Sequence, residues 1–457
     1  MRAPQDAGRF GSVLNPSVPA RWVTAPTVYH PSSLLLTGPH QAPPARVLEA
    51  VRTIAGRDGF AVEQRGHRLM LGPMTPGGWA PDPFGVLAEL RDDPELAPQV
   101  GLNHVMSMAE QAGGNPLALG RGRPGLDRYG DSGYSGRGPT ALRATFPQVE
   151  SVLRVPRVVV LDTGIGDHPW FREIPVIDRV RLAAGDVIGP QIDPGAIRHP
   201  LADSEGLVAD GMLGWLGTHS GHGTFIAGLL RQTCPAAEIV ALAAMGADGI
   251  VDENVLIDAL TSLLTKQRED PGWADALVLS LGYYAETTED VAYGSRLRQL
   301  LVDLGRAGVA VFCAAGNDAT SVPSYPAAFA VHPDFRDPEV VPLTSVAALN
   351  PDGSLAAFSN DGSWVTAQAI GVNLVSTAPV RAQGSRQPIG AAPGIRRRRA
   401  ATDPDDFTGG FASWSGTSFA APVLAGRYLS LLSRQTRPTI GDRRALVCGL
   451  RRPAGQD

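Results

Sequence analysis

From Val155 onward the chain alternates between short unbroken apolar runs and longer stretches whose apolar residues recur every three or four positions. Val158–Leu161, Glu238–Ala243, Ala276–Leu279 and Val309–Ala314 are of the first kind. Each is too short for a helix and reads as a strand buried on both faces. Gly223–Leu230, Val255–Thr265 and Ser295–Arg306 are of the second kind and read as helices between those strands. This alternation predicts an α/β fold with a parallel sheet covered by helices on both faces. In such sheets a site forms beyond the carboxyl ends of the strands, where Asp162 and Asn317 both fall.

The texture upstream differs. Ser33-Leu34-Leu35-Leu36 reads as a short strand, and Val47, Leu48, Val51 and Ile54 recur at helical spacing behind Pro43 and Pro44. Phe60–Val62 and Leu69–Leu71 flank Arg65-Gly66-His67 and read as a hairpin, followed by a helix at Pro83–Leu90. The chain is thus divided into a disordered segment at 1–30, a small α+β region at 31–112, a linker at 113–154 and the α/β domain at 155–452. The linker assignment rests on Gly113 to Thr140, dense in glycine, arginine and proline and unable to bury enough apolar area to order itself. It reads either as a cleavable junction or as a tether. At the other end, Thr439-Ile440-Gly441-Asp442 caps a last helix, Arg443–Leu450.

Composition narrows the function. A chain of 457 residues exceeds what one core usually holds, which agrees with two domains. A net charge of −5 gives no reason to expect a nucleic-acid or membrane partner. Lys266 is the one lysine, a bias attributed to genome composition. The first thirty residues contain no apolar core of a secretory signal, and no run reaches the ~18 apolar residues that would span a bilayer. Cys234, Cys313 and Cys448 cannot all pair, and their spacing suggests no metal site. Cys313, within the apolar strand before Asn317, reads as a buried, reduced thiol, and the expectation is a cytoplasmic protein.

Four motifs carry the chemistry. In Gly416-Thr417-Ser418-Phe419-Ala420-Ala421-Pro422 a turn of small residues runs into an apolar helix, so Ser418 stands where unpaired amides and the helix dipole favour negative charge. A serine hydroxyl needs a base to take its proton and donors to hold the oxyanion. Asp162-Thr163-Gly164 ends a strand on a carboxylate, Ser220-Gly221-His222-Gly223-Thr224 sets a histidine among glycines, and Ala314-Ala315-Gly316-Asn317 ends a strand on an amide. Singly, each has a bland reading: a strand-end cap, a core histidine, a turn residue, a helix cap. In this order and together they resemble the motifs of the subtilisin-like serine peptidases, over about 155–450.

The resemblance implies that Ser418 is the nucleophile, His222 the general base, Asp162 its orienting carboxylate and Asn317 a side-chain oxyanion donor. It also implies that Ser280-Leu281-Gly282 pairs with the substrate backbone and, with Ala314-Ala315-Gly316, walls the primary specificity pocket. The residues forming the pocket floor lie outside the motifs. Tyr283 and Tyr284 read equally as a neighbouring subsite, core packing or exposed surface. The peptide bond before Pro326 is expected to be cis. The partner is a protein or peptide substrate, and no metal or organic cofactor is expected in the chemistry. The implied activity is endopeptidase processing of particular intracellular proteins or precursor peptides; the alternative is a catalytically silent peptide-binding module. Residues 31–112 resemble amino-terminal inhibitor domains only in the order of their elements, and are expected to act as an internal inhibitor or as a recruitment domain.

Several features depart from the compact pattern. Residues 178–219 form an insertion whose acids, Asp186, Asp193, Asp203 and Asp210, lack the spacing of a calcium motif and read as a solvated loop. A second insertion, Pro379 to Asp406, carries Arg396-Arg397-Arg398-Arg399, read as a solvated, mobile loop, or as a segment that draws acidic substrates or is itself clipped. Ile370 stands where the family often has proline, and Phe419 where methionine commonly follows the nucleophile. Phenylalanine removes a side chain that oxidises to a sulfoxide.

Overall fold

The computed structural model describes residues 11–14, 26–37, 45–75, 81–107, 137–142, 146–149, 151–173, 177–178, 203, 207–210, 212–285 and 295–451. Most of the stretch read as a linker, much of the first thirty residues, and Asp186 and Asp193 therefore lie outside the described residues.

Seven parallel strands form the central sheet, in the order Ala367–Ile370, Thr344–Leu349, Ala310–Ala314, Ala276–Leu279, Arg157–Asp162, Glu238–Ala243 and Ile177–Asp178. Successive side chains of a strand leave by opposite faces. Val158 and Val160 accordingly enter one apolar cluster, and Val159 and Leu161 another. Helices His222–Thr233 and Thr417–Leu432 cover the first cluster. Helices Glu253–Glu269 and Ser295–Arg306 cover the second. The α/β expectation is met, and Glu253–Glu269 outgrows the predicted Val255–Thr265. Its added ends carry Glu253 in the first turn and Lys266 and Arg268 in the last, signs that suit the helix dipole.

The helix bearing His222 and the helix bearing Ser418 pack closely because glycine stands where they touch. A Cβ on Gly426 would lie 1.8 Å from the Thr233 hydroxyl; on its other side the His222 helix meets strand Leu374–Thr377, where a Cβ on Gly228 would lie 2.3 Å from the Ser376 hydroxyl. The capping box at the start of the last helix, Ile440–Leu450, forms as anticipated, with Thr439 and Asp442 exchanging hydrogen bonds. All three cysteines are free. No described helix is long and apolar enough to cross a membrane.

The amino-terminal region forms an antiparallel sheet in the order Val100–Ser107, Pro26–Leu36, Arg68–Pro73, Phe60–Arg65, with Gly11–Leu14 also pairing with Pro26–Leu36. The predicted hairpin is present, turning at Gly66 with φ 61°. The strand read as Ser33–Leu36 begins at Pro26, and Val100–Ser107 was not anticipated. In both, polar residues interrupt the apolar pattern yet are satisfied inside. Asn103 donates to Ser33 Oγ (2.9 Å) and Asn254 Oδ1 (3.1 Å), and His104 meets Glu253 Oε2 at 2.5 Å.

This sheet does not stop at the domain boundary. Ile250–Asp252, which belongs in sequence to the α/β domain, pairs antiparallel with Val105–Ser107. Within the stretch read as linker, Gly138–Pro139 pairs with Ala412 and Ser413. Beside it, Arg137 donates to the carbonyls of Gly217 (3.1 Å) and Ser220, and its guanidinium lies over the rings of Phe407 and Trp414.

The close approach of the two helices gives a direct test. Gly426→Ala places a methyl inside Thr233 and is expected to lower the unfolding free energy by about 1–3 kcal/mol despite the better helix propensity of alanine. Chemical denaturation of the variant beside the wild type measures it, and unchanged stability would show that the helices are free to move apart.

Candidate active site

Asp162 is the last residue of its strand, and only 1% of its surface is exposed. Its Oδ1 accepts from the Thr163 amide at 2.8 Å, and its two oxygens lie 2.9 and 3.0 Å from His222 Nδ1. A carboxylate can only accept, so Nδ1 carries the proton and Nε2 is left to accept one. His222 opens its helix after Gly221, whose φ of 87° is the left-handed region that glycine enters freely. The next glycine is needed for space: a Cβ on Gly223 would meet the Gly164 carbonyl at 2.1 Å. Aromatic rings fix the imidazole further, with Phe419 at 4.9 Å and the edge of Trp414 at 5.3 Å between centroids.

Ser418 is the second residue of helix Thr417–Leu432 and is buried, adjacent in sequence to the ring that packs on His222. Its carbonyl accepts from Ser280 Oγ at 2.9 Å. Asn317 lies on the same side. Its Oδ1 accepts from the Thr417 amide and the Thr417 hydroxyl, both at 2.8 Å, and that hydroxyl accepts in turn from the Gly316 amide at 3.0 Å. These bonds settle which end of the amide is oxygen. Nδ2 is left buried with no acceptor among the described residues. An unmade hydrogen bond of this kind costs about 1–3 kcal/mol, and such orphans call for an explanation.

The two predicted wall stretches leave adjacent parallel strands at the same edge. Leu281 and Ala315 bury their side chains in the core, Ala314 is 5% exposed, and Ser280 turns to Ser418, so Gly282 and Gly316 contribute backbone alone. Gly282 donates to Ser107 O at 2.9 Å and accepts from Ser107 N at 3.1 Å, an antiparallel bridge to the amino-terminal region. The Tyr325–Pro326 bond is cis, as expected. Tyr283 and Tyr284 are both buried, Tyr283 stacking on His104 at 4.1 Å.

One expectation is corrected. Asp203, read as part of a solvated loop, is 1% exposed. It accepts from the Gly221 amide (2.7 Å), the Thr224 amide (2.9 Å) and the Thr224 hydroxyl (2.5 Å). Gly221 has no side chain with which to cap the His222 helix, and Asp203 supplies the cap from outside it. Its own amide bonds to Thr163 O at 3.3 Å, and Thr163 Oγ1 accepts from Gly223 N at 2.9 Å. The turn after Asp162 and the start of the His222 helix are thereby joined. Nothing local marks Asp203 for this role, since it bonds residues 18 and 21 positions away. Arg396 to Arg399 are exposed on a small hairpin formed by Ala391–Ala392 and Arg399–Ala400. Among the described residues no group of three or more His, Cys, Asp or Glu is placed to hold a metal ion.

Known proteins share this arrangement of sequence. The sequence model of the subtilase family of peptidases matches residues 156–440. A thermophilic serine proteinase of Bacillus sp. (strain AK1) is 26% identical over 289 residues, covering 63% of this chain and 55% of that protein. Subtilisin BL of Lederbergia lenta is 26% identical over 292 residues, covering 62% of this chain and 77% of its own length. The chain thus spans little more than half the length of the first of these relatives. Among solved structures, a cold adapted subtilisin-like serine proteinase matches with a TM-score of 0.41 at 18% identity, over 66% of this chain and 84% of that one.

Asp203 makes a pH test. Burial pushes its carboxyl up to about 6 from an ordinary 3.8, against the donors that pull it down. The folded chain therefore holds this proton more tightly than the unfolded one. On this group's account stability is greatest below about pH 4, falls by about 3 kcal/mol as pH rises to 6, and is flat above. Asp203→Asn abolishes that titration, so the stability difference between wild type and variant is expected to shrink from pH 4 to pH 6. Denaturant midpoints across that range measure it, and a widening difference would mean that the anion is the favoured form.

Proposed function

The chain belongs to the subtilase family, and on that premise we propose that it is a serine endopeptidase whose Ser418 attacks the carbonyl carbon of a peptide bond. His222 takes the hydroxyl proton on Nε2 as the bond to carbon forms, and Asp162 holds the imidazole and stabilises its charged form. The carbonyl oxygen becomes an oxyanion between Asn317 Nδ2 and the Ser418 amide at the helix start. Collapse expels the amine with the proton from His222, leaving an acyl-serine. Water, deprotonated by the same imidazole, releases the acid and restores Ser418.

The observation that carries this reading is the buried Asn317 amide, whose Nδ2 has no acceptor among the described residues. In a merely folded protein it is a cost; beside a nucleophilic serine it is a donor held ready for charge that exists only in the transition state.

We further propose that the amino-terminal region is an internal inhibitor rather than a recruitment domain. Support comes from where its strand Val100–Ser107 lies, bridged to Gly282 on one stretch and paired with Ile250–Asp252 on another. An extended peptide added to those edges would be held by main-chain bonds largely indifferent to its sequence, as a substrate must be. The cleft cannot hold both. Maturation of particular proteins or precursor peptides fits an enzyme kept covered in this way better than bulk digestion.

Two results are expected. A serine-reactive fluorophosphonate labels the wild type, whereas Ser418→Ala is not labelled and loses about 10⁶-fold in turnover; labelling at another residue would remove Ser418 from its role. Intact chain should hydrolyse a quenched peptide mixture slowly and accelerate after a cut on the carboxyl side of Ser107 that Ser418→Ala does not make. Equal rates before and after that cut would exclude the inhibitor role.

A further inference from the structure

The stretches Ser280–Gly282 and Ala314–Gly316 leave adjacent parallel strands, and what joins the residues just beyond them is visible only in three dimensions. Two residues beyond each stretch stand Tyr284 and Asp318, and the Tyr284 hydroxyl donates to Asp318 Oδ2 at 2.5 Å. Asn360 lies beneath, its Nδ2 donating to Tyr284 Oη (2.8 Å) and to Ala315 O (2.9 Å). Its Oδ1 accepts from the amides of Asp318 (3.0 Å) and Thr320 (3.2 Å). The amide group is thus fully engaged and gives the carboxylate nothing. Gly316, at φ 104°, lets these groups converge: a Cβ there would lie 2.4 Å from Asn360 Nδ2 and 3.6 Å from Tyr284 Oη.

Asp318 immediately follows Asn317 and is only partly buried, so it retains an opening to solvent. Burial pushes its carboxyl up to about 6, which still leaves it mostly ionised at neutral pH. The same burial, with the neighbouring carboxylate, raises the Tyr284 phenol well above its ordinary value and keeps it a donor. Among the described residues no arginine, lysine or histidine forms an ion pair with Asp318. A largely desolvated carboxylate with one neutral donor and no counter-charge is costly, and proteins retain such groups where a ligand completes them.

We infer that Asp318, oriented by Tyr284, is the floor of the primary specificity pocket and selects substrates with lysine or arginine on the acyl side of the cut bond. The inference rests on the endopeptidase reading and deepens it by naming the substrate class. A long side chain running between the two stretches would carry its cationic end to Asp318 and bring the counter-charge that the carboxylate lacks. Between the two basic residues, arginine offers the planar fork that a carboxylate accepts at two points.

The test has two arms, so that failure of the pocket and failure of the chemistry are told apart. Quenched peptides differing only in the residue before the cut are given to wild type and Asp318→Asn. Wild type is expected to favour arginine and lysine over leucine at least tenfold in kcat/KM, with the preference fading as pH falls through 6, and Asp318→Asn to reduce that ratio at least tenfold. A wild-type preference for leucine, or a ratio unmoved by the substitution, overturns the inference. Binding of the fluorescent cation p-aminobenzamidine to Ser418→Ala cut on the carboxyl side of Ser107 by an added protease, which needs no turnover of its own, is expected and is expected to vanish in the Ser418→Ala, Asp318→Asn double variant treated alike. Absence of binding, or binding that survives the second substitution, overturns the inference even if no peptide is cut.

Discussion

A sheet whose strands all run one way has all its carboxyl ends on one edge, and everything chemical in this protein follows from that. The apolar runs of the central strands are buried on both faces, so in Arg157–Asp162, Ala276–Leu279 and Ala310–Ala314 polar groups are pushed to the strand ends and beyond. Asp162, Ser280 and Asn317 stand at or just beyond the carboxyl ends of three neighbouring strands, and so arrive side by side. The chain then returns to the opposite edge through helices, which must begin where the strands end. Two of them begin at His222 and at Thr417–Ser418. Helix starts bring unpaired amides and positive potential to an edge where strands have delivered a carboxylate and an amide.

Position alone would leave these groups loose. They are held by bonds between main chain and short polar side chains. Thr163 ties the turn after Asp162 to Gly223, Thr417 ties the helix start to Asn317, and Asp203 closes the remaining amides at Gly221 and Thr224. Aromatic rings at Phe419 and Trp414 limit the imidazole from the apolar side. Hydroxyls thus govern distance while rings govern orientation.

The parts legible in the sequence are those where one short stretch must satisfy several demands at once. Gly223 has to clear the Gly164 carbonyl, and Gly426 has to clear Thr233, so small residues cluster around His222 and Ser418 and mark them. Four of the seven parallel strands were legible because burial on both faces leaves an unbroken apolar run, whereas Thr344–Leu349, Ala367–Ile370 and Ile177–Asp178 were not anticipated as strands. Val100–Ser107 was not, because Asn103 and His104 are buried against partners about 150 residues away and so break the pattern without breaking the strand. Asp203 and the group of Tyr284, Asp318 and Asn360 were invisible for the same reason. Their meaning lies in contacts between stretches 18 to 76 residues apart, and no local composition announces such contacts.

The strand Ile250–Asp252 is hydrogen-bonded to a segment of its own chain, and this sets how its cover responds to dilution. A tethered segment faces its site at an effective concentration on the order of millimolar, whatever the amount of protein present. Severing the connection without removing the segment would turn the same contacts into a two-body equilibrium. Occupancy would then fall as the solution thins, and the backbone edge left bare could pair with any extended chain that came near. A single covalent break thus separates a cover independent of concentration from one governed by it.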